Sequence, residues 1–306
     1  MKSLLPVVTV IGAILLLWVL AVVPMNMHLT ADQAQRDGLV VSPETPNARQ
    51  EYSGLGLTLR NPGLIAATFV QERPRLPSPH QVAVEMWNTI VLKKITSKRS
   101  LVYHGWVTLS ATLLGFGIGT SLGILLAVGI VYNRAMDMSV MPWAIASQTI
   151  PILALAPMII VMLGSIGIQG LLPKAIISAY LSFFPVVVGM VKGLRSPDGM
   201  QLDLLRTYHA SPAQGFWKLR LPASVPYLFA SLKIGISASL VGAIVAELPT
   251  GARAGFGARM LVGDQYGQPL VTWAALFAAA ITAAALVGLF SLLERLTLRR
   301  MGMVQA

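Results

Sequence analysis

The chain has 306 residues, of which 55% are hydrophobic and only 11% charged, with 23 Lys and Arg against 12 Asp and Glu. Soluble domains carry roughly 25% charged residues, so this composition excludes an ordinary water-soluble protein and a disordered one. With no cysteine there is no disulfide scaffold, thiolate metal site or cysteine nucleophile, and the net charge of +11 acquires meaning from its position beside apolar spans.

A bilayer core needs about 20 apolar residues per helix. Six stretches supply them: Leu4–Val23, Leu109–Tyr132, Trp143–Leu163, Ala175–Val191, Tyr227–Leu248 and Val271–Leu292. They predict an all-α, polytopic transmembrane bundle of six spans. The first is read as a retained helix rather than a cleaved leader. Only Lys2 precedes it, and its apolar run exceeds the roughly 7–15 residues of a leader.

Between the first two spans, Asp32–Arg60 is rich in Pro, Gly, Asn and Gln and reads as irregular. After Leu76-Pro77-Ser78-Pro79, residues His80–Thr96 read as a helix at the membrane surface, with Val84, Trp87, Val91 and Ile95 along one stripe. In the second span Gly115, Gly119 and Gly123 recur at every fourth position, with Gly117 beside them. Small residues so spaced let helices approach closely, within one chain or between two copies. Pro151 and Pro157 in the third span and Pro185 in the fourth predict kinks whose freed backbone groups neighbouring helices satisfy.

Ser147, Gln148 and Thr149 precede the Pro151 break, where polar side chains suit either a pathway lining or bonds between helices. Lys233 lies in the inner half of the fifth span and is expected to snorkel towards water. Glu247 closes that span at its outer end, where it binds a cationic group, closes a gate or is simply solvated. Asp264 and Tyr266 beyond it are equally open.

Basic residues set orientation. Arg134, the five Lys and Arg of Lys192–Pro226, and Arg295, Arg299 and Arg300 fall on one side with Lys2, which assigns that side and both termini to the cytoplasm. Opposite lie only Lys174, Arg253 and Arg259 in short loops. The long segment Met25–Trp106 holds nine basic residues on the outer side, but a loop beyond about 60 residues crosses regardless of its charge. The organisation that follows is a first helix at 1–24, an outer loop with an interfacial helix at 25–106, a transport core at 107–292 and a cytoplasmic tail at 293–306.

The inner loop 192–226 is unusually punctuated for a connection. Ser196-Pro197-Asp198 reads as a helix start, with Ser as N-cap and Pro at the first position. That helix places Met200, Leu204, Leu205 and Tyr208 near one face and stops around His209. Ser211-Pro212-Ala213-Gln214 is a capping box that starts a second short helix, expected to end before Leu221-Pro222. Two short helices with a sharp bend form either an interfacial hairpin or a rigid docking element for a cytoplasmic partner.

Asp203-Leu204-Leu205-Arg206-Thr207-Tyr208-His209 followed by Leu221-Pro222 resembles the EAA loop of binding-protein-dependent ABC importer permeases. That pattern runs Glu-Ala-Ala-x-x-x-Gly with a Leu-Pro pair further on. Asp203 falls at the acid, Leu204 and Leu205 at the alanines, His209 at the glycine, and Pro222 follows thirteen residues after His209. Arg195-Ser196-Pro197, Pro222 to Pro226, Leu76 to Pro79, and Pro142-Trp143 through Pro157 are similar to the nitrate, sulfonate, taurine and hydroxymethylpyrimidine branch. The resemblance spans about Leu76–Leu292.

The resemblance implies a multi-pass subunit of the bacterial cytoplasmic membrane that forms a path for a small solute, with a second copy of itself, two ABC ATPase subunits inside and a solute-binding protein outside. The ATPase-coupling residues it implies are Asp203, Leu204, Leu205, Tyr208, His209, Ser211, Leu221 and Pro222. Pathway candidates are Ser147, Gln148, Thr149 and Glu247. The solute is left among nitrate, sulfonates, taurine and pyrimidine-type vitamin precursors, with the last favoured. His209 in place of glycine keeps the bend available, because histidine is among the few residues enriched at positive φ. Leucines in place of alanines enlarge the docking face.

The chain has no G-x-x-x-x-G-K-[ST], so ATP is used by a partner and no cofactor is expected here. His28, His80, His104 and His209 are scattered, with no H-E-x-x-H metal motif, and no catalytic constellation or nucleic-acid patch is visible. A stand-alone secondary transporter is the alternative, but it calls for paired halves with intramembrane ion ligands, and no repeat is evident.

Overall fold

A computed structural model describes residues 4–248, 252 and 254–303. The orientation readings on Lys2 and Arg253 lie outside these residues. Thirteen α-helices are found among the described residues, and no strand. Two compact units are formed. One takes in the described residues up to Val102 with Arg259–Ala278, the other Tyr103–Ala258 with the described residues from Ala279 on.

In the first unit, α1 runs from Leu4 to Arg36, well beyond the expected end at Val23. Its continuation organises what the sequence reads as irregular. Asn26 accepts a bond from Leu76 N–H at Oδ1 and donates from Nδ2 to the carbonyls of Leu76 and Thr68. Arg49, in α2 (Pro46–Gln50), is 1% exposed. It donates to Asp32 and Gln35 of α1 and to the carbonyls of Pro43 and Glu44. In α3 (Gly54–Arg60), Gly54 lies so close to the Pro24 carbonyl that a Cβ has no room. Asp32–Arg60 is therefore ordered, because buried polar groups must find partners and these find them across the segment.

Trp18 stacks on Trp273 and Phe277 at 5.3 and 5.4 Å and donates its Nε1 proton to the Pro77 carbonyl. The surface helix is shorter than expected: α4 covers Pro79–Trp87, a π turn follows over Asn88–Leu92, and helix ends at Leu92 rather than Thr96.

The second unit is built on three long helices: α5 (Leu101–Tyr132), α8 (Leu171–Leu194) and α11 (Leu221–Glu247). The Gly stripe of α5 faces α8 within the same chain. A Cβ at Gly119 would overlap Ser182 and lie 2.8 Å from the Ala179 carbonyl, and one at Gly123 would lie 2.9 Å from Val186. Small residues also seat α8 on α11, with Gly193 against Ser224 and Gly242 against Ser178. The Ser178 hydroxyl donates to the Ser239 carbonyl, and that of Ser239 to the Thr112 carbonyl. Such close helix approach suits a bilayer, where lipid tails remove the hydrophobic drive between helices. Phe116, Val186, Leu232, Ile236 and Leu286 fill the centre, Leu286 belonging to α13 (Pro269–Arg300).

Replacing Gly119 by Leu should destabilise the folded chain by about 1–3 kcal/mol or more through overpacking. Leu at Gly117, where an added Cβ would meet no neighbouring atom within 4 Å, should be tolerated. Thermal unfolding in detergent distinguishes the two, and equal behaviour would refute this packing.

The third expected span is not one rod. Helices α6 (Arg134–Ser147) and α7 (Ile152–Ser165) meet at a bend of 98°. Pro151 is extended at ψ 115° and has no N–H to donate, so the kink becomes a break. The described residues thus contain five helices long and apolar enough to cross a membrane, or six crossings with the bent pair as one.

Lys233 does not simply snorkel. Its Nζ lies 2.7 Å from Glu294 of α13, a partner 61 residues away that local pattern does not reveal.

Candidate functional site

Two arrangements in the second unit carry the candidate residues. The first is the hairpin of the 192–226 loop. Helix α9 covers Gly199–Thr207 and is capped by Asp198, not Ser196. The Ser196 hydroxyl donates to the Gly193 carbonyl at the end of α8, which leaves Asp198 to accept from Gln201 N–H in a capping box. The far end closes in a Schellman motif. His209 N–H donates to the Arg206 carbonyl and Ala210 N–H to the Leu205 carbonyl. His209 stands at φ 49°, the one described non-glycine residue at positive φ, as its alignment with the family glycine anticipates.

After two residues Ser211 caps α10 (Pro212–Gly215) with the expected box to Gln214. The helix does not stop before Leu221-Pro222. A π turn over Phe216–Arg220 leads directly into α11, and the whole runs unbroken from Pro212 to Glu247. Proline is tolerated because it falls in the first turn of the new register, where its missing N–H costs little. Leu221 and Pro222 therefore join the hairpin rigidly to a membrane helix, and Arg220 ties it to α8 by donating to the Leu194 carbonyl.

On α9, Met200, Leu204 and Tyr208 are exposed at i, i+4 and i+8, at 83, 57 and 77%. Leu205 is half-buried and turns towards Gly215 of α10. The exposed apolar stripe is thus Met200, Leu204 and Tyr208, and Leu205 supports the hairpin from within. Asp203 pairs with Arg206 at 3.0 Å, both well exposed, a surface pair worth about 0–1 kcal/mol and not a brace for the bend.

The second arrangement surrounds Glu247. It is not solvated; it is fully buried. Thr108 Oγ1 of α5 lies 3.0 and 2.9 Å from its two oxygens, Gly257 N–H donates to Oε2 at 3.0 Å, and Lys174 Nζ of α8 stands 3.3 Å from Oε1. Lys174 also donates to the Ala254 carbonyl, and Thr108 Oγ1 accepts from Phe256 N–H at the start of α12 (Phe256–Gln265). His104 accepts from Gly255 N–H at Nδ1. Gly255, at φ 125°, packs directly on the carboxylate, so any side chain there is excluded on both counts.

Beside this cluster opens a cavity of about 870 Å³, lined among others by Tyr103, Trp106, Ser110, Gln169 and Lys174. Nothing local in the sequence marks Thr108, Lys174 or His104 as members of a site.

Ser147, Gln148 and Thr149 do not join this site. Ser147 is buried, and its carbonyl accepts from the Tyr180 hydroxyl. Gln148 and Thr149 are exposed at the α6–α7 break, Asp264 and Tyr266 are also exposed, and no metal-ligand cluster occurs among the described residues.

Residues 119–303 match the family model of the binding-protein-dependent transport system inner membrane component. The chain is similar to the formylaminopyrimidine transport permease protein ThiX of Halalkalibacterium halodurans, at 32% identity over 63% of this chain and 72% of that one. It is similar to the riboflavin transport system permease protein RibX of Chloroflexus aurantiacus, at 32% over 73% and 80% respectively. The nitrate import permease protein NrtB of Synechocystis is 27% identical over 66% and 72%.

Proposed function

Because the chain belongs to the binding-protein-dependent transport system inner membrane components, and so is the multi-pass permease subunit of an ATP-driven importer served by a separate ATPase and a solute-binding protein, we propose that its α9–α10 hairpin receives that ATPase. The observation that carries this reading is the exposed Met200, Leu204 and Tyr208 stripe on α9, which closes at His209 against an α10 that runs unbroken into α11. A push on the hairpin travels along one helix to Glu247 and the cavity beside it. Ser211, Leu221 and Pro222 hold the hairpin's shape in this scheme, Asp203 lies exposed on α9 beside Leu204, and Glu247 belongs to the outer end of the pathway.

The working unit is two copies of this chain with two ATPase subunits, in the bacterial cytoplasmic membrane, with both termini and the hairpin inside. The chain has no cysteine, so single cysteines report topology directly. A cysteine at Gly38 should label from outside and one at Gly199 only from inside. Outside labelling at Gly199 would invert the scheme.

The solute is a flat nitrogen heterocycle of the pyrimidine-precursor or flavin kind. Two relatives at 32% identity carry such solutes in their names, and the cavity offers aromatic Tyr103 and Trp106 with polar Ser110 and Gln169. Isolating the solute-binding protein that docks on this chain and identifying its bound ligand tests this. Nitrate or an alkyl sulfonate as the ligand would overturn it.

A further inference from the structure

We propose that residues 86–99 bind the headgroups of anionic phospholipids. Here α4 gives way to the π turn Asn88–Leu92 and the chain leaves helix at Lys93 with ψ 138°. Trp87, Val91, Leu92 and Ile95 are more than half exposed, at 61, 52, 67 and 66%. Lys93, Lys94, Lys98 and Arg99 are exposed among them. No Asp or Glu occurs from Met86 to Ser100. The nearest acid in sequence, Glu85, is half-buried, with Lys93 and Arg259 as its charged neighbours.

Such a segment suits neither bulk water, which would face four large apolar side chains, nor hydrocarbon, which would face four cations. It suits the layer between them. Chain continuity holds it there, since α5, a membrane-crossing helix, starts at Leu101, two residues after Arg99. With 32 residues, α5 is about 48 Å long at 1.5 Å per residue, against a hydrocarbon core of about 30 Å. One or both of its ends therefore project into the headgroup layer. Trp106, 69% exposed near its start, is the residue type that favours that depth.

Lys and Arg donate charge-assisted hydrogen bonds to phosphate oxygens, and four cations with no acid among them favour a net negative headgroup over a zwitterionic one. In the orientation proposed above, these residues face outward, where short-loop cations are disfavoured and topology does not require them. Lipid binding gives them a function. The measurement below does not depend on which side they occupy, so its failure is separate from a failure of the topology.

The full chain is reconstituted in nanodiscs of equal phosphatidylglycerol and phosphatidylcholine, and lipids retained on release are counted by native mass spectrometry. Wild type should retain phosphatidylglycerol preferentially. The exposed-surface variant K93Q/K94Q/K98Q/R99Q should lower the ratio of the two lipids by about fivefold or more. K93R/K94R/K98R should keep it, and R295Q/R299Q/R300Q in the tail should not reproduce the Gln variant's loss. An unchanged ratio in the quadruple Gln variant overturns the proposal. If that unchanged ratio comes with weaker docking of the solute-binding protein in phosphatidylcholine alone, the patch is a protein-docking surface instead.

Discussion

Replacing Glu247 by alanine should destabilise the chain by about 3–5 kcal/mol, the cost of removing one partner from a buried ion pair. Lys174 would keep only the Ala254 carbonyl, Gly257 N–H would lose its acceptor, and the Thr108 hydroxyl would lose both oxygens. Those groups come from α5, α8 and the start of α12, and Glu247 ends α11, so one residue holds four helices at one end of the unit. Glu247→Gln keeps an acceptor for Gly257 and loses the ion pair, so it should fall between alanine and wild type. Adding Lys174→Met to Glu247→Gln removes the other charge and should recover part of the loss, because replacing both members is far milder than orphaning one. The readout is thermal unfolding in detergent, with solute uptake alongside. If Glu247→Ala unfolded within about 1 kcal/mol of wild type, as surface changes usually do, the buried cluster would be wrong.

The sequence contains every residue of that cluster yet does not announce it. Glu247 and Thr108 are 139 positions apart, and Glu247 and Lys174 are 73 apart. A helix end rich in apolar residues looks the same whether its acid meets water or three donors. Arg49 with Asp32 and Lys233 with Glu294 are hidden for the same reason. Features written within four to nine residues are legible: the Ser211 capping box, the Gly stripe of α5 and positive φ at His209. Where two local signals compete, local pattern misleads. Ser196 and Asp198 both suit an N-cap, and only the Gly193 carbonyl beside Ser196 decides between them. Pro222 likewise reads as a stop, and the π turn before it turns it into a start. Pro151 announces a kink, whereas the bend it marks between α6 and α7 is a full 98° break.

Leu204→Asp should cost the ATPase partner about a hundredfold or more in affinity while leaving the permease itself folded. The two halves of that expectation come from one number: Leu204 is 57% exposed in the isolated chain. A charge on an exposed helix face changes stability by about 0.5 kcal/mol or less. The same charge pressed into an apolar groove without a partner costs several kcal/mol, and about 2.7 kcal/mol is a hundredfold. Tyr208→Asp should behave alike, one helical turn further on. Leu205→Asp is a poorer probe, since Leu205 is half-buried towards α10 and the change would loosen the hairpin as well. The bend gives an independent arm. His209→Gly should preserve ATPase binding, because glycine adopts φ 49° without strain. His209→Val should weaken it, because a β-branched residue there costs about 1–2 kcal/mol or more and shifts the Schellman closure. Co-purification of the ATPase with each variant, with ATP-driven uptake in vesicles, distinguishes these outcomes. If Leu204→Asp and Tyr208→Asp both retained the ATPase and full uptake, the partner would dock elsewhere. The exposed stripe of α9 would then need another occupant.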